Sequence, residues 1–279
     1  MPRTLPSQSM APPARRGFAA ILAIVAIAVA AISLAAPAFL RADDKKPDKK
    51  PTPSVTMAVP LGLAAGTTAK IVIRGLLLDQ ASEVHLQDNP AGGKITIKLL
   101  SKGKIAVPDK FEAKLAGDTQ VEIEVTVPPD AAGEANIIVT TPSGPTPPHP
   151  LLIAAKGTLL ADKKAGSFRD AQPLAIGQAI DGTIESGRQV HVYRIDATAG
   201  QTIVADVEAA RKGSLLDSLL TLYDAQGHIV ASNDDYNGTP DSHLKATLSS
   251  ASPYYLSLID AYDSGSPAHV FRLRLGTKD

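Results

Sequence analysis

The sequence of 279 residues contains no cysteine and no tryptophan, and aromatic residues make up only 4% of it. Without cysteine the chain has no disulfide, no thiol nucleophile and no thiolate ligand for zinc or iron–sulfur clusters. Its 28 basic and 28 acidic side chains balance, so no broad positive field attracts nucleic acid. The chain is therefore expected to depend on ordinary core packing, and nucleic acid is not an expected partner.

The first 42 residues have the features of an export signal. Arg15 and Arg16 precede an apolar run over residues 18–36, and a small-residue exit of the A-x-A type ends at Ala38. A basic start, an apolar middle and such an exit are typical of a secretory signal. Cleavage after Ala38 or Ala42 would release the protein, whereas an uncleaved segment would anchor it in a membrane. We therefore predict an exported protein that is periplasmic, attached to the cell surface or secreted.

Once the export segment is set aside, the chain is mildly acidic. The first 42 residues hold four arginines and no carboxylate, so the rest carries 24 basic and 28 acidic side chains. It begins with residues 43–53, DDKKPDKKPTP, which have charge and proline but no large apolar side chain. Such a composition predicts a solvated tether between the export segment and the folded part.

Alternation of apolar and polar residues dominates both halves of the remaining chain. It is clearest in the stretches 121–127, 203–207 and 271–275, and no long amphipathic helix follows residue 42. Period-two alternation indicates strands with one buried and one solvated face. The pattern predicts an all-β protein with two tandem β-sandwiches, at residues 54–154 and 172–279.

The boundary between the two sandwiches is less sharply marked than the sandwiches themselves. A proline-rich stretch at residues 141–150 excludes helix and central strand, but the apolar residues 151–153 follow it directly. If those residues form the last strand of the first sandwich, the boundary lies near residues 163–170. We predict a linker over residues 155–171.

The second half resembles the pre-peptidase C-terminal domain of secreted bacterial proteins, over about residues 172–276. The resemblance depends on an ordered series of short motifs, which include Ala199-Gly200-Gln201-Thr202, Leu220-Thr221-Leu222-Tyr223-Asp224, Asn233-Asp234-Asp235 and Asp241-Ser242. It implies a jelly-roll sandwich, and the best-known relatives bind extracellular polymers such as collagen. Residues 54–154 resemble an immunoglobulin-like TIG/IPT domain in their strand pattern and in the placement of Gly66 and Gly75.

One loop has the spacing of a calcium site. Oxygen-bearing side chains alternate along it with a glycine at the bend, as a hard cation prefers. The candidate ligands are Asn233, Asp235, Asn237 and Asp241. Leu244 occupies the place of the closing glutamate, so the alternative is a hairpin loop whose side chains bond their own backbone. The usual calcium site of the resembled family is not expected here, because residues 161–166 and 187–191 lack the carboxylates that it uses.

Tyrosine is the most informative aromatic residue, because all six tyrosines lie in the second sandwich. Exposed tyrosine is a frequent contact residue for proteins and sugars. Tyr236 and Tyr262 lie in loop-like sequence and are the best candidates for ligand contact, with Tyr254 as a third. Tyr254 and Tyr255 must point to opposite faces of a strand, so at least one of them is expected in the core.

No catalytic residues are predicted. The stretch from Asp263 to Pro267 is similar to the nucleophile loop of trypsin-like proteases, but a loop of glycine, serine and proline explains it fully. The sequence therefore predicts an exported, non-enzymatic binding or adhesion protein whose partner is an envelope or extracellular protein or a polysaccharide. The alternatives are an envelope assembly protein with no separate ligand and an accessory component of a secreted peptidase or hydrolase.

Overall fold

The computed structural model describes residues 52–88, 93–250 and 253–277. The predicted export segment, residues 1–42, and nearly all of the predicted tether lie outside these residues. Residues Lys49–Asp279 form one unit by their contacts. Within the described residues, no helix is long and apolar enough to cross a membrane.

The N-terminal sandwich consists of two sheets. Its strands are β1 (Ser54–Val59), β2 (Gly62–Ala64), β3 (Thr68–Leu76), β4 (Glu83–Leu86), β5 (Thr96–Lys104), β6 (Thr119–Thr126), β7 (Gly133–Thr141), β8 (Gly144–Pro145) and β9 (His149–Ala154). One sheet has the order β1-β3-β6-β5, and the other has the order β2-β9-β7-β4 with β8 paired to β7. A single helical turn, α1 (Ala113–Ala116), precedes β6.

The C-terminal sandwich consists of two five-stranded sheets. Its strands are β10 (Leu159–Leu160), β11 (Gln172–Pro173), β12 (Ala179–Thr183), β13 (His191–Ile195), β14 (Thr202–Glu208), β15 (Ser218–Tyr223), β16 (Ile229–Asn233), β17 (His243–Thr247), β18 (Tyr254–Asp260) and β19 (Val270–Gly276). We call the sheet with the order β10-β12-β19-β14-β17 the front sheet and the sheet with the order β11-β13-β18-β15-β16 the back sheet.

Each sandwich has its own core, built by the predicted alternation. In β6, Val121, Ile123 and Val125 are fully buried and pack against β7 residues such as Ile137 from the opposite sheet. In the C-terminal sandwich, the inward residues of β19 and β14 pack against those of β15 and β18. The prediction of an all-β protein with β-sandwiches is thus confirmed.

The two sandwiches also touch each other. Leu61 and Leu152 of the first form a small buried cluster with Val270 of the second. Gly213, with a φ of 88°, lies so close to β1 that an added Cβ would stand 1.9 Å from the Thr56 carbonyl oxygen. Only glycine satisfies both the left-handed backbone and this close approach.

The segment predicted as a linker, residues 155–171, is packed against the C-terminal sandwich. Its β10 pairs in parallel with β12, and the Val192 amide donates to the Ala165 carbonyl at 2.6 Å. Residues 151–153 belong to β9, which pairs with β7, so they form the last strand of the first sandwich. The linker predicted over residues 155–171 thus contains the strand β10, whose two residues are too few to show alternation in the sequence.

Candidate functional site

A groove of about 870 Å³ lies on the outer face of the front sheet, and we call it the sheet groove. Residues 155–158, just before β10, form one wall, and a hairpin tip at residues 236–239, near β17, forms the other. Between these walls, the lining residues come from the four strands β12, β19, β14 and β17.

The floor of the sheet groove carries charged side chains because of strand alternation. In β19, Leu273 and Leu275 face the core, so Arg272 and Arg274 point to the other face of the sheet. Arg274 is exposed there, whereas Arg272 is covered and only 1% exposed. In β14, Ala205 and Val207 likewise face the core, which turns Val204, Asp206 and Glu208 outward. Two packed strands thus supply both signs of charge to one surface.

Strand register places these charges side by side. Arg272 lies opposite Asp181 of β12 on one side and Glu208 of β14 on the other. One register step along, Asp206 lies between Arg274 of β19 and His243 of β17. Opposite charges on neighbouring strands attract, so these cross-strand pairs also stabilise the sheet.

Each arginine of the floor is held by a carboxylate. Arg272 donates two hydrogen bonds to Asp181, from Nε at 2.6 Å and from Nη2 at 2.8 Å. Arg274 donates two to Glu208, at 2.9 and 2.7 Å, and Arg211 donates to Asp206 at 2.6 Å. Such charge-assisted bonds fix the side chains in place and balance the charge of the floor.

Tyr236 stands at the hairpin wall of the sheet groove and is 42% exposed. The backbone groups of Tyr236 and Thr239 bond each other in both directions at 3.1 Å, and Asn237 and Gly238 between them have positive φ values of 52° and 73°. Positive φ at both central residues is the pattern of a type I′ hairpin turn. The ring of Tyr236 stacks on His243, with centroids 4.3 Å apart.

A second groove, of about 920 Å³, lies between the two sandwiches, and we call it the junction groove. Tyr262, 79% exposed, and Leu115 lie on its lining with Val55 and Phe111. Asp217 also faces it, and burial together with the nearby carboxylates of residues 235 and 260 raises the pKa of Asp217. The junction groove therefore combines an apolar rim with an acidic patch.

Comparison with known proteins gives distant likenesses. No family model matches the chain. A curated protein of Deinococcus radiodurans named "Probable subtilase-type serine protease" is 35% identical over 95 residues, which is 33% of this chain and 13% of that protein. The chain thus spans about 13% of the length of this relative.

Among solved structures, similar chains include a pre-peptidase C-terminal domain of a collagenase from Bacillus anthracis. It is 15% identical with a TM-score of 0.30, and the match covers 38% of this chain and 93% of that domain. The secreted serine protease VesC from Vibrio cholerae is 11% identical with a TM-score of 0.26, over 82% of this chain and 50% of that one.

The three tyrosines predicted for ligand contact lie in different places. Tyr236 lines the sheet groove and Tyr262 lines the junction groove, so they do not form one site. Tyr254 is only 1% exposed and belongs to the core, with its hydroxyl 2.9 Å from the Ser250 hydroxyl. Its prediction as a contact residue needs correction, because alternation in β18 turns Tyr255, not Tyr254, outward.

The four predicted calcium ligands have separate roles. The Asn233 side-chain oxygen accepts a hydrogen bond from the His243 amide at 2.7 Å. Asn237 belongs to the exposed hairpin tip, and Asp235 is exposed just before that tip. Asp241 is fully buried, and its carboxylate accepts from the Ala210 amide at 2.6 Å and pairs with Arg211. Within the described residues, no three histidine, aspartate or glutamate side chains are grouped closely enough to hold a metal. Calcium binding at this loop stays a prediction.

The protease-like stretch from Asp263 to Pro267 forms a turn. Ser266 Oγ lies 2.8 Å from His269 Nδ1 and accepts a hydrogen bond from the Ala268 amide. His269 is only 1% exposed, its Nε2 is 4.0 Å from an Asp260 oxygen, and both Asp260 oxygens accept backbone amides. Local hydrogen bonds therefore engage Ser266 and Asp260, whereas His269 Nε2 is buried without a hydrogen-bond partner among the described residues.

Sequence reasoning found Tyr236 but missed the floor beneath it. Arg272 and Arg274 alternate visibly with apolar residues, which already placed them on an outer face. Their partners Asp181 and Glu208 are 91 and 66 positions away, so only the strand order brings them together.

Proposed function

We propose that this chain is an exported, non-enzymatic binding protein whose C-terminal sandwich holds an extracellular polymer or protein in the sheet groove. The observation that carries the proposal is the combination of an ordered, charge-paired floor with an exposed tyrosine fixed at its edge. Ordered side chains lose little conformational freedom when a ligand binds, which favours affinity.

Two further observations support this function. The export segment predicted at residues 1–42 would deliver the protein outside the cytoplasm, where such ligands occur. The curated relative is named as a subtilase-type protease, and the similar collagenase domain is one of the pre-peptidase C-terminal kind. We infer that the C-terminal sandwich is likewise a module of the pre-peptidase C-terminal type.

The two exposed tyrosines provide a matched test of the site. The protein is incubated with immobilised extracellular polymers, both proteins and polysaccharides, and the captured fraction is measured for wild type, Tyr236→Ala and Tyr262→Ala. We expect wild type and Tyr262→Ala to be captured and Tyr236→Ala to be lost. Capture that depends on Tyr262 alone would place the site in the junction groove, and failure of the wild type to bind any polymer would refute the binding function.

A further inference from the structure

We propose that the ligand of the sheet groove is a neutral polysaccharide chain, whose uncharged sugar rings lie across the front sheet. The inference rests on the proposed binding function and specifies its ligand class. Three features of the groove carry it, namely the balanced charge of the floor, the pinned aromatic ring and the use of a sheet face instead of a sheet edge.

The balanced floor disfavours a highly charged ligand. Arg274, the exposed arginine of the floor, is held by Glu208 through two hydrogen bonds, so an anionic polymer would have to compete with Glu208 for it. Arg272 is buried in its pair with Asp181. A hydroxyl group both donates and accepts, so it can bond a guanidinium and a carboxylate of the same pair without breaking it. Neutral sugars present many such hydroxyls at fixed spacing.

The pinned ring of Tyr236 provides the complementary apolar surface. One face of the ring is backed by His243 at an angle of 19°, and the hairpin bonds to Thr239 fix its backbone. The exposed part of the Tyr236 ring lines the same groove as Arg272 and Arg274. A pyranose ring can lay its C–H face on such an aromatic surface while its hydroxyls reach polar partners at the edge.

The position of the groove also argues against an extended peptide. Peptides that bind β proteins commonly add a strand to a free sheet edge, where backbone groups are available. The sheet groove instead crosses a face whose central strands β12, β19 and β14 already pair on both sides.

The test is native affinity electrophoresis of the whole folded protein in gels that contain one soluble polymer each. The probes are hydroxyethylcellulose, galactomannan and dextran as neutral polysaccharides, polygalacturonate as an anionic one, and gelatin as a protein. We expect at least one neutral polysaccharide to retard the protein. The retardation should persist in about 0.5 M salt, a concentration that screens exposed charges. Tyr236→Ala should weaken this binding by about tenfold or more, as loss of an aromatic hot-spot contact does.

Two variants make the result specific. Tyr236→Phe keeps the ring and should retain binding, whereas Tyr262→Ala should behave as wild type because Tyr262 lies in the other groove. Circular dichroism of each variant checks that it is folded. Loss of binding in Tyr236→Phe as large as in Tyr236→Ala would overturn the stacking argument.

The other outcomes separate this inference from the proposed function. One such outcome is retardation by polygalacturonate alone that is lost in salt and in the variant Lys156→Ala at the groove wall. That result would overturn the neutral ligand class but leave polymer binding in place. Retardation by gelatin alone would likewise replace the polysaccharide by a protein ligand. No retardation by any of the five probes would contradict both.

Discussion

The ring of Tyr236 stacks on the imidazole of His243, with centroids 4.3 Å apart and 19° between the ring planes. The Nδ1 atom of His243 in turn lies 3.1 Å from a carboxylate oxygen of Asp206 on the neighbouring strand. The exposed tyrosine of the hairpin is thereby tied to the charge-paired floor of the front sheet.

His243→Ala should weaken polymer binding without abolishing it. The variant removes the ring that backs Tyr236 but leaves the tyrosine in place, so we expect a loss of about threefold to tenfold, smaller than that of Tyr236→Ala. Affinity electrophoresis with the polymer that retards wild type measures it. His228→Ala, which changes an exposed histidine paired with Asp224 outside the groove, should have no effect. Equal losses in both histidine variants would show that the stack has no special role.

Tyr193→Phe should leave the protein as stable as wild type or raise its stability. The Tyr193 hydroxyl is buried and has no hydrogen-bond partner within the described part of the chain, and burial raises the pKa of this phenol. Removing an unsatisfied buried hydroxyl relieves a desolvation cost of about 1 kcal/mol. Urea unfolding followed by circular dichroism gives the change in free energy of unfolding.

Tyr254→Phe is the matched control for this prediction. It removes a hydroxyl that lies within hydrogen-bond distance of the backbone amide, carbonyl and side chain of Ser250. We expect it to lower the free energy of unfolding by about 1 kcal/mol. If Tyr193→Phe proved the more destabilising of the two, the placement of the Tyr193 hydroxyl in the core would be wrong.

Acid should destabilise the protein partly through His149, which lies against Gly213 between the sandwiches. Burial, aided by the charge of Lys212, lowers the pKa of His149 to about 4, although Glu134 opposes the shift. An unfolded chain binds this proton near pH 6.5, whereas the folded protein does not bind it until about pH 4. Between these values the free energy of unfolding should fall as the pH falls, by about 3 kcal/mol in total.

His149→Leu removes the titrating group and isolates its contribution. The free energy of unfolding of this variant should depend less steeply on pH between 6.5 and 4 than that of wild type. Burial also lowers the pKa values of His191 and His269, so some slope should remain. An identical slope in wild type and His149→Leu would contradict the prediction.

Gly213→Ala should strain the contact between the sandwiches. The new Cβ would meet the Thr56 carbonyl at 1.9 Å, in addition to the cost of an alanine at a φ of 88°. Gly200→Ala is the matched control, since Gly200 has a φ of 81° but no atom within 4 Å of an added Cβ. We expect a loss of about 1 kcal/mol for Gly200→Ala and at least about 1–3 kcal/mol more for Gly213→Ala. Urea unfolding measures both, and equal losses would show that the close approach does not matter.

Local patterns allowed much of this fold to be predicted, because period-two alternation reports directly which face of a strand is buried. Val121, Ile123 and Val125 are examples, and the same reasoning required one residue of the Tyr254 and Tyr255 pair to lie in the core. Alternation does not say which strands are neighbours. The pairing of Asp181 with Arg272 across 91 positions, and with it the floor of the sheet groove, therefore emerged only from the three-dimensional structure.

The role of Asp241 was hidden for a similar reason. Its spacing from Asn233 fits a ligand loop. Its carboxylate, however, accepts hydrogen bonds from the amides of Ala209 and Ala210, which come directly after β14 and lie 32 and 31 positions before Asp241. A buried carboxylate that caps a remote turn and a carboxylate that binds a cation share the same residue type. Only the three-dimensional neighbours distinguish them.

The central claim is that the sheet groove on the C-terminal sandwich is the ligand-binding surface. Hydrogen–deuterium exchange of the full protein, with and without the polymer that retards it in the gel, tests this claim most directly. The account predicts slower exchange in the presence of polymer at residues 155–158, at the hairpin tip 236–239 and along β19. Slower exchange confined to the junction groove around Leu115 and Tyr262, or no change at the sheet groove, would contradict it.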